Sequence, residues 1–382
     1  MTTLHEPTLA TDELRPTHLE VDLRALARNY ARIAARVAPA RVMPVLKANA
    51  YGHGLVQVAQ KLERAGAPYV AVAYLEEAMR LRQEGVRLPV LVLGGIVGSQ
   101  IPRFLEHDLT LTASSVDKLH AIDACAASMG RRARVHLKID TGMERIGVHW
   151  YSAERLLESS LGARHVEIEG IFTHFASADE LDLRHAHLQL ERFQEVLRFY
   201  ERRSLPAPLR HAANSGAILQ LPESYLDMVR PGVLTFGASP ALDLQVPFPL
   251  EQALRWVTRV VFFKVVKAGN SISYGAHYTP PHDTRVITMP VGYGDGYMRA
   301  MSGRAQVLVA GRRVPVVGRI CMDQIMADIG AGSAYNGDQV VLLGRDQDQQ
   351  IRIEELAAWA GTIPHEVLTN INTRVPRVYI DD

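Results

Sequence analysis

The chain has 382 residues, enough for a barrel-sized domain with a smaller one attached. Hydrophobic residues make up 47% and charged residues 22%, and 42 basic side chains face 41 acidic ones, so there is ample core but no basic field for nucleic acid and no polybasic membrane patch. Cys125 and Cys321 are too few and too far apart for a disulfide scaffold, the polar first 15 residues lack the apolar core of a signal peptide, and no apolar run nears the ~20 residues of a membrane span, so a cytoplasmic protein acting on small molecules is expected.

After the extension over residues 1–15, eight apolar, β-branched-rich runs can be read. They are Val42–Leu46, Tyr69–Ala73, Pro89–Leu93, Leu109–Thr112, Arg134–Ile139, Ile168–Phe172, Leu209–Ala212 and Val233–Phe236. Helix-period stretches separate most of them: Leu75–Gln83, Ser115–Met129 with a serine N-cap and Asp117 in its first turn, and His187–Glu201. Strands alternating with amphipathic helices predict a parallel sheet, and eight such units over roughly 200 residues predict a (β/α)8 TIM-type barrel over residues 16–245. Three prolines between Gly237 and Pro249 mark the boundary. Residues 246–382 then read as a mainly β domain, with strands expected at Trp256–Val266, Arg285–Val291, Ala305–Val309, Val314–Val317 and Gln339–Leu343 and one helix at Ile353–Ala360.

Lys47 ends the first barrel run, inside Pro-Val-Leu-Lys-Ala-Asn-Ala-Tyr-Gly-His-Gly. An ammonium at the edge of an apolar strand is costly to desolvate, so its pKa should fall, and a neutral lysine is what a Schiff-base nucleophile requires. In barrel enzymes the working residues lie at the C-terminal ends of strands. Polar segments fall at those ends here: Lys138 leading into Asp-Thr-Gly-Met-Glu-Arg145, Thr-His174-Phe, Asn214-Ser215-Gly, and Arg230-Pro-Gly232 just before the eighth run.

These segments resemble those of bacterial alanine racemases, enzymes of fold type III that use pyridoxal 5'-phosphate (PLP), and the resemblance covers almost the whole chain. It implies that Lys47 carries PLP covalently and that Tyr51, Asn214, Ser215, Gly232 and Val233 surround its phosphate. It further implies that His174 faces the cofactor ring, that Arg230 bonds the pyridine nitrogen with support from His211, and that Arg145 lies near the substrate carboxylate. Lys138 matches a lysine that is carbamylated in many members. In the β domain, Ser-Ile-Ser-Tyr274-Gly matches the element whose tyrosine is the second base and reaches the active site from the other subunit of a homodimer. Arg-Ile-Cys-Met322-Asp323 matches the substrate-carboxylate element, and Gly-Tyr293-Gly-Asp-Gly-Tyr matches the entrance lining.

The resemblance therefore implies an isomerase that interconverts L-alanine and D-alanine by a two-base mechanism with Lys47 and Tyr274, supplying D-alanine for peptidoglycan. Three positions depart from the family pattern: His365 where tyrosine meets the phosphate, Phe236 for a frequent tyrosine, and Glu144 where glycine or asparagine is common. His365 leaves open a racemase of broader range that also accepts serine. A fold-type III decarboxylase or a non-catalytic PLP carrier would share the barrel and the lysine, but the β-domain elements argue for the racemase. The glycines around Tyr293 do not follow Gly-x-Gly-x-x-Gly spacing, and His185 and His187 lack the further close ligand a metal site needs.

Overall fold

The computed structural model describes residues 15–381. The extension expected over residues 1–15 lies outside the described residues except for Arg15, whose guanidinium donates to both carboxylate oxygens of Asp295 at 2.9 and 2.7 Å. The chain divides into two compact units: Leu23–Glu251, and the stretches before Leu23 and from Gln252 onward.

In the first unit, eight parallel strands form the barrel among the described residues: Arg41–Val42, Val70–Val72, Val90–Val92, Leu111–Ala113, Ala133–Asp140, Val166–Phe172, Leu209–His211 and Met228–Val229; a ninth, Val148–His149, pairs in parallel with the end of Ala133–Asp140. Ladders or single bridges join successive neighbours, and Met228–Val229 pairs with Arg41–Val42. The remaining gap is closed by backbone bonds from Asp227 to Arg210 and from Arg230 to Ala213. Helices Leu75–Gln83, Val116–Ser128 and Arg184–Arg202 cover the expected stretches, and the Ser115 hydroxyl caps the second by accepting the Lys118 N–H.

The eighth strand differs from expectation. Val233–Phe236 is a buried 3-10 turn, and Arg230 follows the strand Met228–Val229 instead of preceding one. A short apolar run is buried equally well in a strand or a tight turn, so its composition does not distinguish them. The turn is set by Gly232, whose N–H donates to the Ser215 hydroxyl at 2.9 Å.

The second unit is built on a sheet in the order 262–266, 284–289, 325–330, 312–317, 306–309, 339–346, 254–259, 18–22, 377–380, with 349–351 beside 339–346. Its core includes Trp256, Tyr297, Leu342, Leu343 and Ile353. Two boundaries need correction. His18–Asp22, expected within the barrel portion, pairs with Leu254–Arg259 and Arg377–Ile380, so the sheet of this unit takes strands from both ends of the chain. Trp256–Val266 is not one strand: Val260 donates to Asp338 and Val261 to Thr288, so the chain changes neighbours there and divides into Leu254–Arg259 and Phe262–Val266. The strands Ile325–Gly330 and Arg377–Ile380 and the helix Pro364–Asn370 were not evident from periodicity.

Candidate active site

Lys47 opens a turn of the wrong hand. Ala48, Asn49, Ala50 and Tyr51 all have φ between 51 and 55°, a left-handed helical turn made without glycine. Each such residue costs about 1–2 kcal/mol, so the turn persists only because its surroundings over-determine it. Glu77 accepts the Ala48 N–H on one oxygen at 2.7 Å and the Ala73 N–H on the other at 2.9 Å. Asn49 Oδ1 accepts from the Leu55 N–H, and the His53 ring nitrogen Nδ1 sits 2.9 Å from the Tyr51 carbonyl. The Lys47 side chain stays accessible, yet desolvation by the surrounding protein and the Arg145 charge lower its pKa, with Glu77 opposing. The direction expected from sequence is therefore present.

Tyr51 is buried, and burial raises its pKa, so it is a hydroxyl donor. It packs against Phe236, 5.1 Å between ring centroids, so the phenylalanine in place of tyrosine fills an apolar contact. A Cβ on Gly232 would fall 2.3 Å from Tyr51 Oη, so this position requires glycine. Ser215, Gly232 and buried Val233 thus cluster with Tyr51. Asn214 Oδ1 caps the helix Ser215–Gln220 by accepting the Ala217 N–H at 3.0 Å.

Deeper in the barrel, Arg230 is buried and donates to His211 Nδ1 at 2.9 Å, to the carbonyls of Thr173 and Ala212 at 2.7 and 2.9 Å, and toward His174 Nδ1 at 3.3 Å. Burial pushes its pKa down to about 9, which leaves it cationic at neutrality. Burial and then the Arg230 charge hold His174 and His211 well below the usual histidine range, so both are neutral. Lys138 is only 3% exposed, 4.7 Å above the Phe172 ring, and desolvation lowers its pKa strongly. The Asp140 carboxylate accepts N–H donors from Gly142, Met143, Glu144 and Arg145, which shapes the loop presenting Arg145. Glu144 pays for this with φ of 53°, a backbone that suits glycine or asparagine.

The second unit joins three loops. Tyr274, 71% exposed, stands on a tight turn preceded by Ser273 at φ 68° and followed by Gly275 at φ 75°. Ser273 Oγ donates to the Arg319 carbonyl, and the backbone N–H groups of Tyr293 and Gly294 donate to the carbonyls of Cys321 and Met322. Met322 is 53% exposed. Beside it, Asp323 binds Arg374 Nη2 at 2.8 Å while Arg374 Nε donates to buried Asp295 at 2.7 Å. His365 lies in the first turn of Pro364–Asn370. His185 is engaged by the Gly142 carbonyl at 3.2 Å.

Comparison with known proteins fits this arrangement. The profile of the alanine racemase N-terminal domain matches residues 21–240, and that of the alanine racemase C-terminal domain matches residues 253–379. The chain belongs to the alanine racemase family. It is 42% identical to alanine racemase 2 of Caldanaerobacter subterraneus subsp. tengcongensis, over 97% of this chain and 96% of that one. The solved alanine racemase of Streptomyces lavendulae superimposes with a TM-score of 0.92 at 36% identity, covering 97% and 98% of the two chains. A histidine racemase from Leuconostoc mesenteroides subsp. sake is similar with a TM-score of 0.87 at 31% identity, covering 96% and 98%.

Alanine racemases are PLP-dependent isomerases. The residues present fit that cofactor: an amine of lowered pKa at Lys47, hydroxyl and N–H donors gathered where a side chain at Gly232 would collide with Tyr51, and a buried cation at Arg230. Sequence reading missed Glu77, Asp295 and Arg374, which hold loops around the expected site residues, Arg374 through the Asp323 carboxylate itself. It also passed over His136, although Arg134, His136, Lys138 and Asp140 alternate along one strand, a polar face in a buried element.

Proposed function

We propose that this racemase interconverts L-alanine and D-alanine through two bases, Lys47 and Tyr274. Lys47 carries the proposal: its amine is accessible, held by a strained turn, and biased toward the neutral form that can accept a proton. Tyr51, Ser215, Gly232 and Val233 would hold the phosphate, with His365 a further donor, and Lys47 the aldehyde carbon. PLP, when bound, supplies an electron sink for the α-carbon. Arg230, cationic through neutrality, would bond the pyridine nitrogen without yielding it a proton, which restrains the sink and favours prompt reprotonation of the α-carbon. His174, neutral and accepting from Arg230, would face the ring. Arg145, fixed by Asp140, would orient the substrate carboxylate together with Met322 and Asp323, and Lys138 would support Arg145 if carbamylated.

Tyr274 would move the proton on the opposite face, from the partner subunit of a homodimer. The exposure of Tyr274 and Met322 supports this, as does the edge strand Phe262–Val266, whose Phe262, Phe263 and Val265 face solvent. The D-alanine, formed in the cytoplasm, would supply peptidoglycan. Among the described residues no helix is long and apolar enough to cross a membrane.

The deciding experiment incubates the purified protein with L-alanine in deuterium oxide and follows α-deuteration beside D-alanine formation. Both together support racemisation; deuteration without D-alanine would mean that only one of the two bases works. His365 favours a second reading, a range that includes serine. Undetectable serine turnover beside robust alanine turnover would end it.

A further inference from the structure

Arg230 carries a buried positive charge, and among the described residues no carboxylate lies within ion-pair distance of it. Its contacts nevertheless lead to one. A guanidinium can only donate, so His211 Nδ1, 2.9 Å from Arg230 Nη1, must be an acceptor. A neutral ring then carries its proton on Nε2, which lies 2.8 Å from His136 Nδ1 and donates to it. That makes His136 Nδ1 an acceptor too and puts the His136 proton on Nε2, which faces Glu169 Oε2 at 3.5 Å. His136 and His211 are wholly buried, and Glu169 reaches the edge of solvent.

The far end of this path is also built. Tyr69 Oη donates to Glu169 at 2.6 Å and is itself 2.7 Å from Thr110 Oγ1. Burial opposes the Glu169 charge, but His136, Tyr69 and Arg134 outweigh it and hold the carboxyl below its usual range. Space for the His136 ring depends on Gly170, where a Cβ would come within 2.5 Å of His136 Nδ1. His211 in turn stacks on Phe172, centroids 4.8 Å apart and planes 6° from parallel. Three strand positions, His136, Glu169 and His211, thereby share one directional path, its last step the 3.5 Å approach of His136 Nε2 to Glu169.

We propose that Glu169 and His136 are positioning residues that act on Arg230 through His211, with every donor pointing from Arg230 toward Glu169. The carboxylate compensates the guanidinium across two neutral rings, fixes both histidine tautomers, and so keeps Arg230 aimed and cationic. The role rests on the reading that Arg230 bonds the pyridine nitrogen of the cofactor.

The test uses the holoenzyme. In protein labelled with 15N-histidine, His136 and His211, assigned through substitution of His136, should each show a protonated Nε2 and a bare Nδ1. A protonated Nδ1 on either ring overturns the chain. Reconstitution with cofactor labelled at the pyridine nitrogen then compares Arg230→Gln with Glu169→Gln, which keeps an acceptor but removes the charge. Both should move the pyridine resonance, Glu169→Gln less, with a roughly tenfold fall in kcat, the scale of one charge-assisted bond, and little change in KM. A shift with Arg230→Gln alone, and full kcat in Glu169→Gln, overturns the relay while leaving the Arg230 reading intact. No shift with Arg230→Gln overturns the reading on which the relay rests.

Discussion

Glu77 and Ala48 are joined by a 2.7 Å bond from the Ala48 N–H to Glu77 Oε1, so the carboxylate that starts the helix Leu75–Gln83 also pins the turn behind Lys47. A single side chain thus ties the end of one barrel strand to the left-handed turn that follows another. Four strained residues in a row give that bond something to hold.

Glu77→Ala should therefore loosen the turn. Charge-assisted bonds contribute about 1.5–3 kcal/mol each, and a loss of that order in urea unfolding is expected. Amide exchange should rise across residues 48–54 specifically, with kcat falling more than KM changes. Exchange that rises evenly over the barrel, or not at all, would count against the clamp.

His174 and His211 set an acid limit on stability. Their folded pKa values lie well below 6.5, so below that pH the unfolded chain takes up protons that the folded chain refuses. Stability is fully present above 6.5 and falls as pH drops, by about 1.4 kcal/mol per pH unit for each histidine once the unfolded rings are charged. Urea unfolding between pH 5 and 7 should show the decline, with net proton uptake on unfolding. A flat profile in that window would mean these rings are already charged in the fold.

Tyr274→Phe should leave the cofactor spectrum unchanged and remove one of the two proton transfers. Racemisation should fall below detection, while one alanine enantiomer, and not the other, still exchanges its α-proton with deuterium oxide. Retained racemisation in this variant would take the base role from Tyr274.

Arg374 bridges buried Asp295 and the Asp323 beside Met322. Arg374→Met should free the Met322–Asp323 loop and raise KM for alanine about tenfold, roughly 1.4 kcal/mol of lost binding. An unchanged KM would show that the loop keeps its position without the bridge.

Glu144 holds φ of 53° without being glycine. Asparagine tolerates that region better, so Glu144→Asn should raise stability by about 0.5–1 kcal/mol in urea unfolding. A loss of stability instead would show that the contact between Glu144 and His149, at 3.6 Å, matters more than the strain.

Much of the fold was legible because its signals are local. Helices Leu75–Gln83 and Ile353–Ala360 have their expected ends, since capping chemistry and 3.6-residue periodicity are carried by neighbouring residues. The lysine segment and the strand-end clusters were legible for the same reason: short runs of residue types carry them, and the family profiles match over both portions of the chain.

Where the path of the chain is decided by distant partners, local pattern failed. Val233–Phe236 has the composition of a strand and forms a turn, because Tyr51 and Ser215, remote in sequence, shape the backbone at Gly232. His18–Asp22 falls inside the expected barrel portion, residues 16–245, yet belongs to the other unit, because partners more than 200 residues away claim it. The sequence by itself determined which side chains are present and which local elements they favour. Only the tertiary structure decided that four alanine, asparagine and tyrosine residues would turn left-handed, and that Arg230 would face Glu169 through two histidines. Backbone strain and proton direction depend on what surrounds a residue in space, and no run of neighbours in the chain encodes that.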